Sequence, residues 1–125
     1  MGKKVVHIEF PAKDLDRGKK FWESVGGWSL NDAGMQGMQY LMAQEGDQGA
    51  AIFSMEGAAG TTIYLGTDNI DGDLAKVREL GGEAEDKQPI PSIGWFARCK
   101  DSEGNDFSLY QSDENAPMPE GMPGG

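Results

Sequence analysis

The chain has 125 residues, 38% hydrophobic and 26% charged, a composition typical of a soluble globular domain. Its net charge of −10 disfavours nucleic acid and anionic membrane surfaces as partners, because both would repel it. The only cysteine, Cys99, excludes an internal disulfide and favours a cytoplasmic location. Since Glu9 interrupts the N-terminal apolar stretch, and no apolar run approaches roughly 20 residues, we expect neither signal peptide nor membrane span.

The first predicted element is a strand from Val5 to Phe10. Apolar and polar residues alternate along it, which is typical of a strand with one face packed on a core. His7 and Glu9 share the polar face, and Pro11 ends the strand because it cannot donate a ladder hydrogen bond. The apolar face carries Val6, Ile8 and Phe10.

A helix is predicted over residues 14–26. Asp14 or Asp16 can cap its N-terminus, and Gly26 and Gly27 supply a left-handed stop. Its apolar stripe follows the 3.6-residue period: Leu15, Gly18, Trp22 and Val25. Three short strands are then predicted at residues 28–31, 39–43 and 50–55, divided by glycine-rich or charged turns.

The second half of the chain repeats this order of elements. It is predicted to contain a strand at 61–66, a helix at 70–80 capped by Asn69 or Asp68, a short strand at 83–86, a loop with Pro89 and Pro91, and strands at 95–99 and 106–111. The helix stripe consists of Ile70, Leu74 and Val77, and Gly81 and Gly82 end the helix. From residue 112 to 125 prolines, glycines and acids dominate, which predicts a disordered tail.

The two halves also match each other directly. At an offset of 55 residues, the distance from Leu15 to Ile70, Val25-Gly26-Gly27 falls on Leu80-Gly81-Gly82, and Gly49 falls on Gly104. A self-match at a fixed offset indicates a duplicated structural unit. We therefore predict an α+β protein with one domain over residues 1–111, built from two βαβββ repeats at about 4–56 and 61–111.

The alternation within the strands predicts which side chains share a polar face. A sheet must turn its apolar face towards its helices, so the opposite face carries the polar residues of each strand. These are His7 and Glu9 in the first strand, Thr62 and Tyr64 in the fifth, and Asp106, Ser108 and Tyr110 in the last. If the sheets curve, these residues line a concave pocket; the alternative is simple exposure to solvent.

Two βαβββ units with an Asp-Gly-Asn-type turn before the last strand resemble the vicinal-oxygen-chelate superfamily of glyoxalase I, bleomycin-resistance proteins and extradiol dioxygenases. The resemblance covers about residues 4–111. Its specific runs are Val5-Val6-His7-Ile8-Glu9-Phe10-Pro11-Ala12, Phe21-Trp22-Glu23, Tyr64 to Asp71, Gly94-Trp95-Phe96-Ala97 and Asp101-Ser102-Glu103-Gly104-Asn105-Asp106-Phe107. It implies curved mixed sheets around a cavity and a homodimer.

The resemblance also implies four metal-ligand positions, one in the first and one in the last strand of each unit. These positions are held here by His7, Phe53, Thr62 and Ser108. Most catalytic sites need at least three imidazole or carboxylate ligands, whereas this set offers one. We therefore expect a degenerate metal site and no cofactor. The rival hypothesis is a divalent metal held by His7 with replacement ligands such as Glu9.

The candidate ligand-binding residues are His7, Glu9, Tyr64, Trp95 and Tyr110. His7 is the only histidine; it is either a general base or ligand anchor assisted by Glu9, or an inert residue beside the cavity. The three aromatic residues either hold a ligand or belong to the core. Cys99 is predicted to be a buried, inert thiol rather than a nucleophile.

These residues favour a small-molecule-binding member, either a resistance or sequestration protein or a metal-independent enzyme, without identifying its substrate. The net charge favours cationic or neutral aromatic ligands over phosphorylated ones. The alternative is a metal-dependent lyase or isomerase of glyoxalase I type, or a dioxygenase. A purely structural or interaction module is the third class, and it requires an exposed apolar patch.

Overall fold

A computed structural model describes residues 2–33, 39–54 and 60–118 of the chain. The elements are β1 (Val5–Pro11), α1 (Leu15–Val25), β2 (Asn31–Asp32), β3 (Gln39–Glu45), β4 (Gln48–Ser54), β5 (Thr62–Gly66), α2 (Ile70–Glu79), β6 (Glu83–Ala84), β7 (Gln88–Ile90), β8 (Gly94–Lys100) and β9 (Asp106–Ser112). In these parts of the chain, no helix is long and apolar enough to span a membrane.

The chain divides into two compact units, which we call the first and the second module. The first module is Val5–Ile63, and the second is Tyr64–Gly125 together with Met1–Lys4. The first contains β1, α1 and three strands, and the second contains α2 and four strands after its opening strand. The predicted α+β class with two βαβββ units is therefore confirmed, with one additional short strand in the second unit.

In the first module the strands lie in the order β2-β3-β4-β1. β1 runs parallel to β4, whereas β2 and β3 form antiparallel pairs. The core lies on the side of the sheet that faces α1. Its buried residues are Leu30, Ala43 and Ile52, with Phe10, Leu15, Trp22, Trp28 and Leu41 packed against them. The prediction that Phe10 faces the helix is confirmed.

The ends of α1 follow the sequence signals. Asp14 caps the helix, because its Oδ1 accepts a hydrogen bond from the Arg17 N–H at 3.1 Å. At the other end the Gly26 N–H donates to the Trp22 carbonyl at 2.8 Å, and Gly27 adopts a φ of 74°. One member of the predicted stripe is wrong: Val25, the last residue of α1, is 68% exposed.

In the second module β9 runs parallel to β5 and antiparallel to β8, which also pairs with β6 and β7. Asn69 caps α2 by accepting a hydrogen bond from the Gly72 N–H at 3.1 Å. Gly81, with a φ of 92°, follows the end of the helix as predicted. The buried core consists of Ile70, Leu74, Ala97, Cys99 and Leu109, with Val77 packed against it.

Two predicted segments differ from the structure. The strand predicted at 28–31 is present only as Asn31–Asp32, because Leu30 is buried and Trp28 packs against the core beneath α1. The loop predicted around Pro89 contains β7, which pairs with β8 where a proline is tolerated in an edge strand. The linker between the repeats is predicted at residues 56–60, and of these residues 56–59 lie outside the described part of the chain.

Ordered structure also continues past residue 111, where the disordered tail was predicted to begin. The Asp113 N–H donates to the Ile93 carbonyl at 2.9 Å, and the Ser92 N–H donates to the Ala116 carbonyl at 3.0 Å. Ala116 is buried. The predicted boundary is therefore wrong, because backbone hydrogen bonds to the β7–β8 turn hold the segment; residues 119–125 lie outside the described part.

The turn before β9 contains a carboxylate whose contribution to the stability of the fold should depend on pH. The carboxylate of Asp101 accepts hydrogen bonds from the Asn105 side chain and from the backbone N–H groups of Asn105 and Glu103. These bonds, with the Asn105 side chain foremost, hold the pKa of Asp101 below its ordinary value. A group with a lowered folded-state pKa stabilises the fold above its unfolded pKa, roughly 3.9, and loses that effect as pH falls through the folded value.

We therefore expect Asp101→Ala to lower the melting temperature at neutral pH, and the difference from wild type to shrink as the pH falls below about 4. Scanning calorimetry across the acidic range measures this. Glu114→Ala, which removes an exposed carboxylate outside the turn, serves as the control. A pH-independent difference for Asp101→Ala would contradict the prediction.

Candidate functional site

On the polar face of the first module, the middle strand carries small residues that the side chains of its neighbours cover. Gly49 and Ala51 lie on β4, between β1 on one side and β3 on the other. The register pairs His7 with Gly49 and Glu9 with Ala51, and it places Tyr40 on the same face. Longer side chains from the two outer strands can therefore meet above β4.

Three of these side chains form a hydrogen-bonded cluster, which we call the relay cluster: His7, Glu9 and Tyr40. The Tyr40 hydroxyl donates to Glu9 Oε2 at 2.5 Å and lies 2.8 Å from His7 Nε2. His7 Nε2 and Glu9 Oε2 are 3.6 Å apart. The side chains of His7 and Glu9 are only 15% and 16% exposed, and Tyr40 is buried. Partial desolvation strengthens the electrostatic interactions among the three groups.

The number of available protons determines that Nε2 of the imidazole carries a proton. A phenol has one hydroxyl proton, and in the relay cluster Tyr40 donates it to Glu9. The contact between His7 Nε2 and the Tyr40 oxygen is then a hydrogen bond only if Nε2 carries a proton and donates it. His7 is therefore either the neutral Nε2–H tautomer or the imidazolium ion, and in the neutral tautomer Nδ1 is an acceptor.

The four residues at the predicted metal positions do not fit a catalytic divalent ion. Phe53 lies on the polar face of β4 and has no donor atom, and Thr62 and Ser108 offer neutral hydroxyls. His7 Nε2, a nitrogen that a metal could take, already contacts the Tyr40 hydroxyl. Within the described ranges no group of three or more His, Cys, Asp and Glu side chains could hold a metal.

Ser108 also has an unusual environment. It is 0% exposed, and among the described residues its Oγ has no hydrogen-bond partner. Leaving a buried hydroxyl unsatisfied costs about 1–3 kcal/mol. A residue retained at that cost in a well-packed strand is a candidate for contact with a bound molecule or water.

The second module brings two of the predicted aromatic residues to one face. Tyr64 pairs with Ser108 in the β5–β9 register, and Tyr110 lies two residues further along the same face of β9. The Tyr110 hydroxyl donates to the Ile93 carbonyl at 3.3 Å. Tyr64, Ser108 and Tyr110 thus form a hydroxyl-bearing face within this module.

Trp95 does not share that face. It pairs with Gln111 on β9 and packs against the core beneath α2. Its Nε1 donates to Asp113 Oδ2 at 3.0 Å, and the Lys87 ammonium lies 4.5 Å from the centre of its ring. The structure therefore places Trp95 on the opposite side of its sheet from Tyr110, as a core residue.

Cys99 belongs to the same core as Trp95. It is 5% exposed, and burial raises the pKa of its thiol above the ordinary value. The thiolate is the nucleophilic form of cysteine, so this environment disfavours nucleophilic catalysis by Cys99.

A surface depression of about 550 Å³ opens in the first module, and its lining includes Tyr40 of the relay cluster but neither His7 nor Glu9. Tyr40 takes part in its lining, together with Lys13, Asp14, Leu15, Asp16, Asp32, Gln39 and Leu41. Its volume lies within the range of about 300–1,000 Å³ found for small-molecule sites. Three carboxylates against one ammonium group give the lining a net negative charge.

The sequence interpretation missed Tyr40, although a signal for it was present. Leu41 and Ala43 are the apolar residues of β3, so the alternation places Tyr40 on the polar face. Its contact with Glu9 could not be predicted in the same way, because it depends on the registers of β3 and β1 with β4.

Comparisons with known proteins agree with the fold described above. A protein-family model described as a glyoxalase-like domain matches residues 6–110. None of the curated proteins is similar enough in sequence to match the chain.

Solved structures show the same fold. A hypothetical protein from Bacillus halodurans C-125 aligns with a TM-score of 0.69 and 16% identity, covering 93% of this chain and 99% of that one. A methylmalonyl-CoA epimerase solved with methylmalonyl-CoA aligns with a TM-score of 0.68 and 17% identity, covering 94% and 100%. The epimerase from Mycobacterium tuberculosis gives 0.66 and 14%, covering 92% and 88%.

Proposed function

Since this chain belongs to the glyoxalase-like domain family, we propose that it binds a neutral or cationic small molecule at the relay cluster without a resident catalytic metal. The observation that carries the proposal is the Tyr40 hydroxyl, which contacts both His7 Nε2 and Glu9 Oε2. A hydrogen-bonded phenol occupies one of the two imidazole nitrogens that a metal could use.

The chemistry available to the cluster is proton sharing. A half-buried imidazole, phenol and carboxylate in hydrogen-bond contact can hold a proton at His7 Nε2 or on the Tyr40 oxygen and can orient a polar ligand group. This supports either ligand binding alone or metal-independent general acid–base chemistry. Both cases require that the ligand binds at the relay cluster.

The negative charge of the chain supports a neutral or cationic ligand. The net charge of −10 and the carboxylates around the depression repel phosphorylated molecules and attract cations. One structural relative binds methylmalonyl-CoA, but its similarity to this chain, at 17% identity, concerns the fold alone and does not identify the ligand of this chain.

Within the second module we propose Tyr64 and Tyr110 as further ligand contacts. Their support is the shared hydroxyl-bearing face and the unsatisfied hydroxyl of Ser108 beside Tyr64. Trp95 is left out of this proposed set because it packs beneath α2. The homodimer and the cytoplasmic location remain predictions, and analytical ultracentrifugation checks the first of them.

A thermal-shift screen with metals, thiol conjugates, aromatic diols and cationic antibiotics tests the proposed function. A ligand at 100 times its dissociation constant should add about 2.7 kcal/mol of stability. We expect Tyr40→Phe to abolish the shift, because it removes the hydroxyl that joins His7 to Glu9. Each variant is compared with its own ligand-free melting temperature, since the substitution also leaves two half-buried groups without that bond.

Glu9→Gln should weaken the same hits, and Glu45→Gln, at the exposed end of β3, is the matched control. Hits that survive both Tyr40→Phe and Glu9→Gln would overturn the site. Elemental analysis tests the metal-free part: about one equivalent of nickel, zinc, manganese or iron per chain, lost in His7→Ala, would make the metal-dependent alternative correct.

A further inference from the structure

One residue of the β7–β8 turn has a backbone conformation that residues with a side chain rarely adopt. Ser92 has a φ of 64°, and it is the only non-glycine residue with a positive φ in the described part of the chain. Such a conformation persists where the surrounding structure enforces it, and it is frequent beside ligand-binding sites. Here the Ser92 N–H donates to the Ala116 carbonyl at 3.0 Å. The Asp113 N–H donates to the Ile93 carbonyl at 2.9 Å, so the C-terminal segment holds the turn on both sides of Ser92.

The Asp113 carboxylate holds the C-terminal segment against β8. Its Oδ2 accepts a hydrogen bond from Trp95 Nε1 at 3.0 Å, and its Oδ1 accepts one from the Asn115 N–H at 2.9 Å. These bonds, with that from Trp95 foremost, and the nearby Lys87 ammonium lower the pKa of Asp113. The carboxylate is therefore ionised at neutral pH, and its hydrogen bonds are charge-assisted. We call the pair formed by Asp113 and Trp95 the Asp113 latch.

The same turn binds the proton of Tyr110, one of the proposed ligand contacts. The ring of Tyr110 lies over Gly94, since a Cβ atom at that glycine would come within 3.0 Å of a ring carbon. The Tyr110 hydroxyl donates to the Ile93 carbonyl at 3.3 Å, and a carbonyl can only accept. The Ser112 hydroxyl reaches the Tyr110 oxygen only at 3.5 Å. The half-buried Tyr110 oxygen therefore retains the capacity to accept a hydrogen bond from a ligand, whereas its proton is already donated.

We propose that the Asp113 latch positions the Tyr110 oxygen as a hydrogen-bond acceptor for the ligand, an inference that rests on the proposed role of Tyr110 as a ligand contact. Trp95 and Asp113 act through the Ile93 carbonyl, which receives both the Asp113 N–H and the Tyr110 hydroxyl. They are positioning residues and do not touch the ligand. While the latch is closed, Tyr110 favours ligands with an N–H or O–H donor. When it is broken, the Ile93 carbonyl is no longer held in place, and Tyr110 can donate as well as accept.

The Tyr110 hydroxyl can be observed directly, because the chain has only 3 tyrosines. Tyrosine labelled with ¹³C at Cζ, the carbon that carries the hydroxyl, gives one NMR signal for each of them, and the Tyr110→Phe and Tyr40→Phe variants assign two of these signals. Trp95→Phe keeps an aromatic ring in the core and removes the Nε1–H that closes the latch. We expect this variant to move the Tyr110 signal and to leave the Tyr40 signal of the first module unchanged.

A second substitution tests whether the two residues of the latch act together. Asp113→Asn should move the Tyr110 signal in the same direction as Trp95→Phe, since the amide lacks the charge that strengthens the bond. The double variant should shift the signal by less than the sum of the two single shifts, because both substitutions act on one hydrogen bond. Glu114→Gln, which changes the neighbouring exposed carboxylate, is the matched control and should leave the Tyr110 signal in place.

Two neutral probes of similar shape test the ligand class. Phenol carries an O–H donor, whereas anisole has a methyl group in place of that proton and can only accept a hydrogen bond. We expect phenol to shift the Tyr110 signal saturably and to bind about fivefold more tightly than anisole, the effect of one hydrogen bond. In Trp95→Phe the two probes should bind with affinities within about twofold of each other.

The proposal is overturned if Trp95→Phe and Asp113→Asn leave the Tyr110 signal in place, if their shifts simply add, if phenol does not move that signal, or if both probes bind equally well to the wild type. Failure of the proposed function has a different result, because ligands from the thermal-shift screen would then survive Tyr40→Phe. Ligands lost in Tyr40→Phe, combined with phenol that leaves the Tyr110 signal unmoved, would keep the relay cluster as the site and remove Tyr110 and the latch from it.

Discussion

Replacing Ile52 by alanine should lower the free energy of unfolding by about 2–5 kcal/mol, a large part of the roughly 5–15 kcal/mol that stabilises a typical domain. Ile52 is 1% exposed at the centre of the first module's core. Three aromatic rings form one wall of that core: the Phe10 and Trp22 ring centres are 4.5 Å apart, and those of Trp22 and Trp28 are 5.5 Å apart. Because stacked rings cannot collapse freely into a new cavity, we expect a cost towards the upper end of the range.

Urea unfolding followed by tryptophan fluorescence measures this effect, since Trp22 and Trp28 lie in the affected core. Ile52→Val is the matched control: it removes one methylene-sized group and should cost only about 0.5–1.5 kcal/mol. If Ile52→Ala costs less than about 1 kcal/mol, the core beneath α1 does not have the packing described.

The second large effect concerns Gly49→Ala, which should disorganise the relay cluster and cost about 1–3 kcal/mol of stability. The new Cβ would come within 2.7 Å of His7 Nδ1. Gln44 can move aside because it is exposed, but His7 is held by its hydrogen bond to Tyr40. We therefore expect the imidazole to turn away, which changes its ¹⁵N signals and abolishes the thermal shift of any relay-cluster ligand.

A double-mutant cycle separates the clash from a general effect on β4. If the cost arises from contact with the imidazole, Gly49→Ala should cost less than half as much in a His7→Ala background as in wild type. Equal costs in the two backgrounds would show that the strand, rather than His7, resists the substitution. Chemical denaturation of the four proteins provides the measurement.

Much of the fold could be predicted because its signals are local. The alternation from Val6 to Phe10 identified β1 and its faces, and the caps at Asp14 and Asn69 lie where a carboxylate or amide can accept the first-turn N–H groups. The errors occurred where tertiary contacts outweigh local pattern. Trp28 and Leu30 look like strand residues, but they are used to complete the core beneath α1. The segment after Ser112 has the composition of a tail, but it is held by hydrogen bonds to residues 92 and 93.

The candidate site likewise contains residues that could be assigned from the sequence and residues that only the structure could assign. His7 and Glu9 could be assigned to one face from sequence, since they are two residues apart in one strand. Trp95 was expected on the ligand side, but the β8–β9 register and the packing of α2 assign it to the core. A single strand's alternation separates its residues into two faces, but it does not tell which face the neighbouring elements cover.

The sequence by itself determined the repeat, the βαβββ order, the caps and stops of the helices, and the scarcity of metal ligands, because each depends on residue type and short-range spacing. Only the tertiary structure decided that Tyr40 joins His7 to Glu9 and that Gln44 faces His7 across Gly49. These contacts connect strands that are distant in sequence. A shift of one residue in either strand pairing would turn Tyr40 or Gln44 to the opposite face of the sheet.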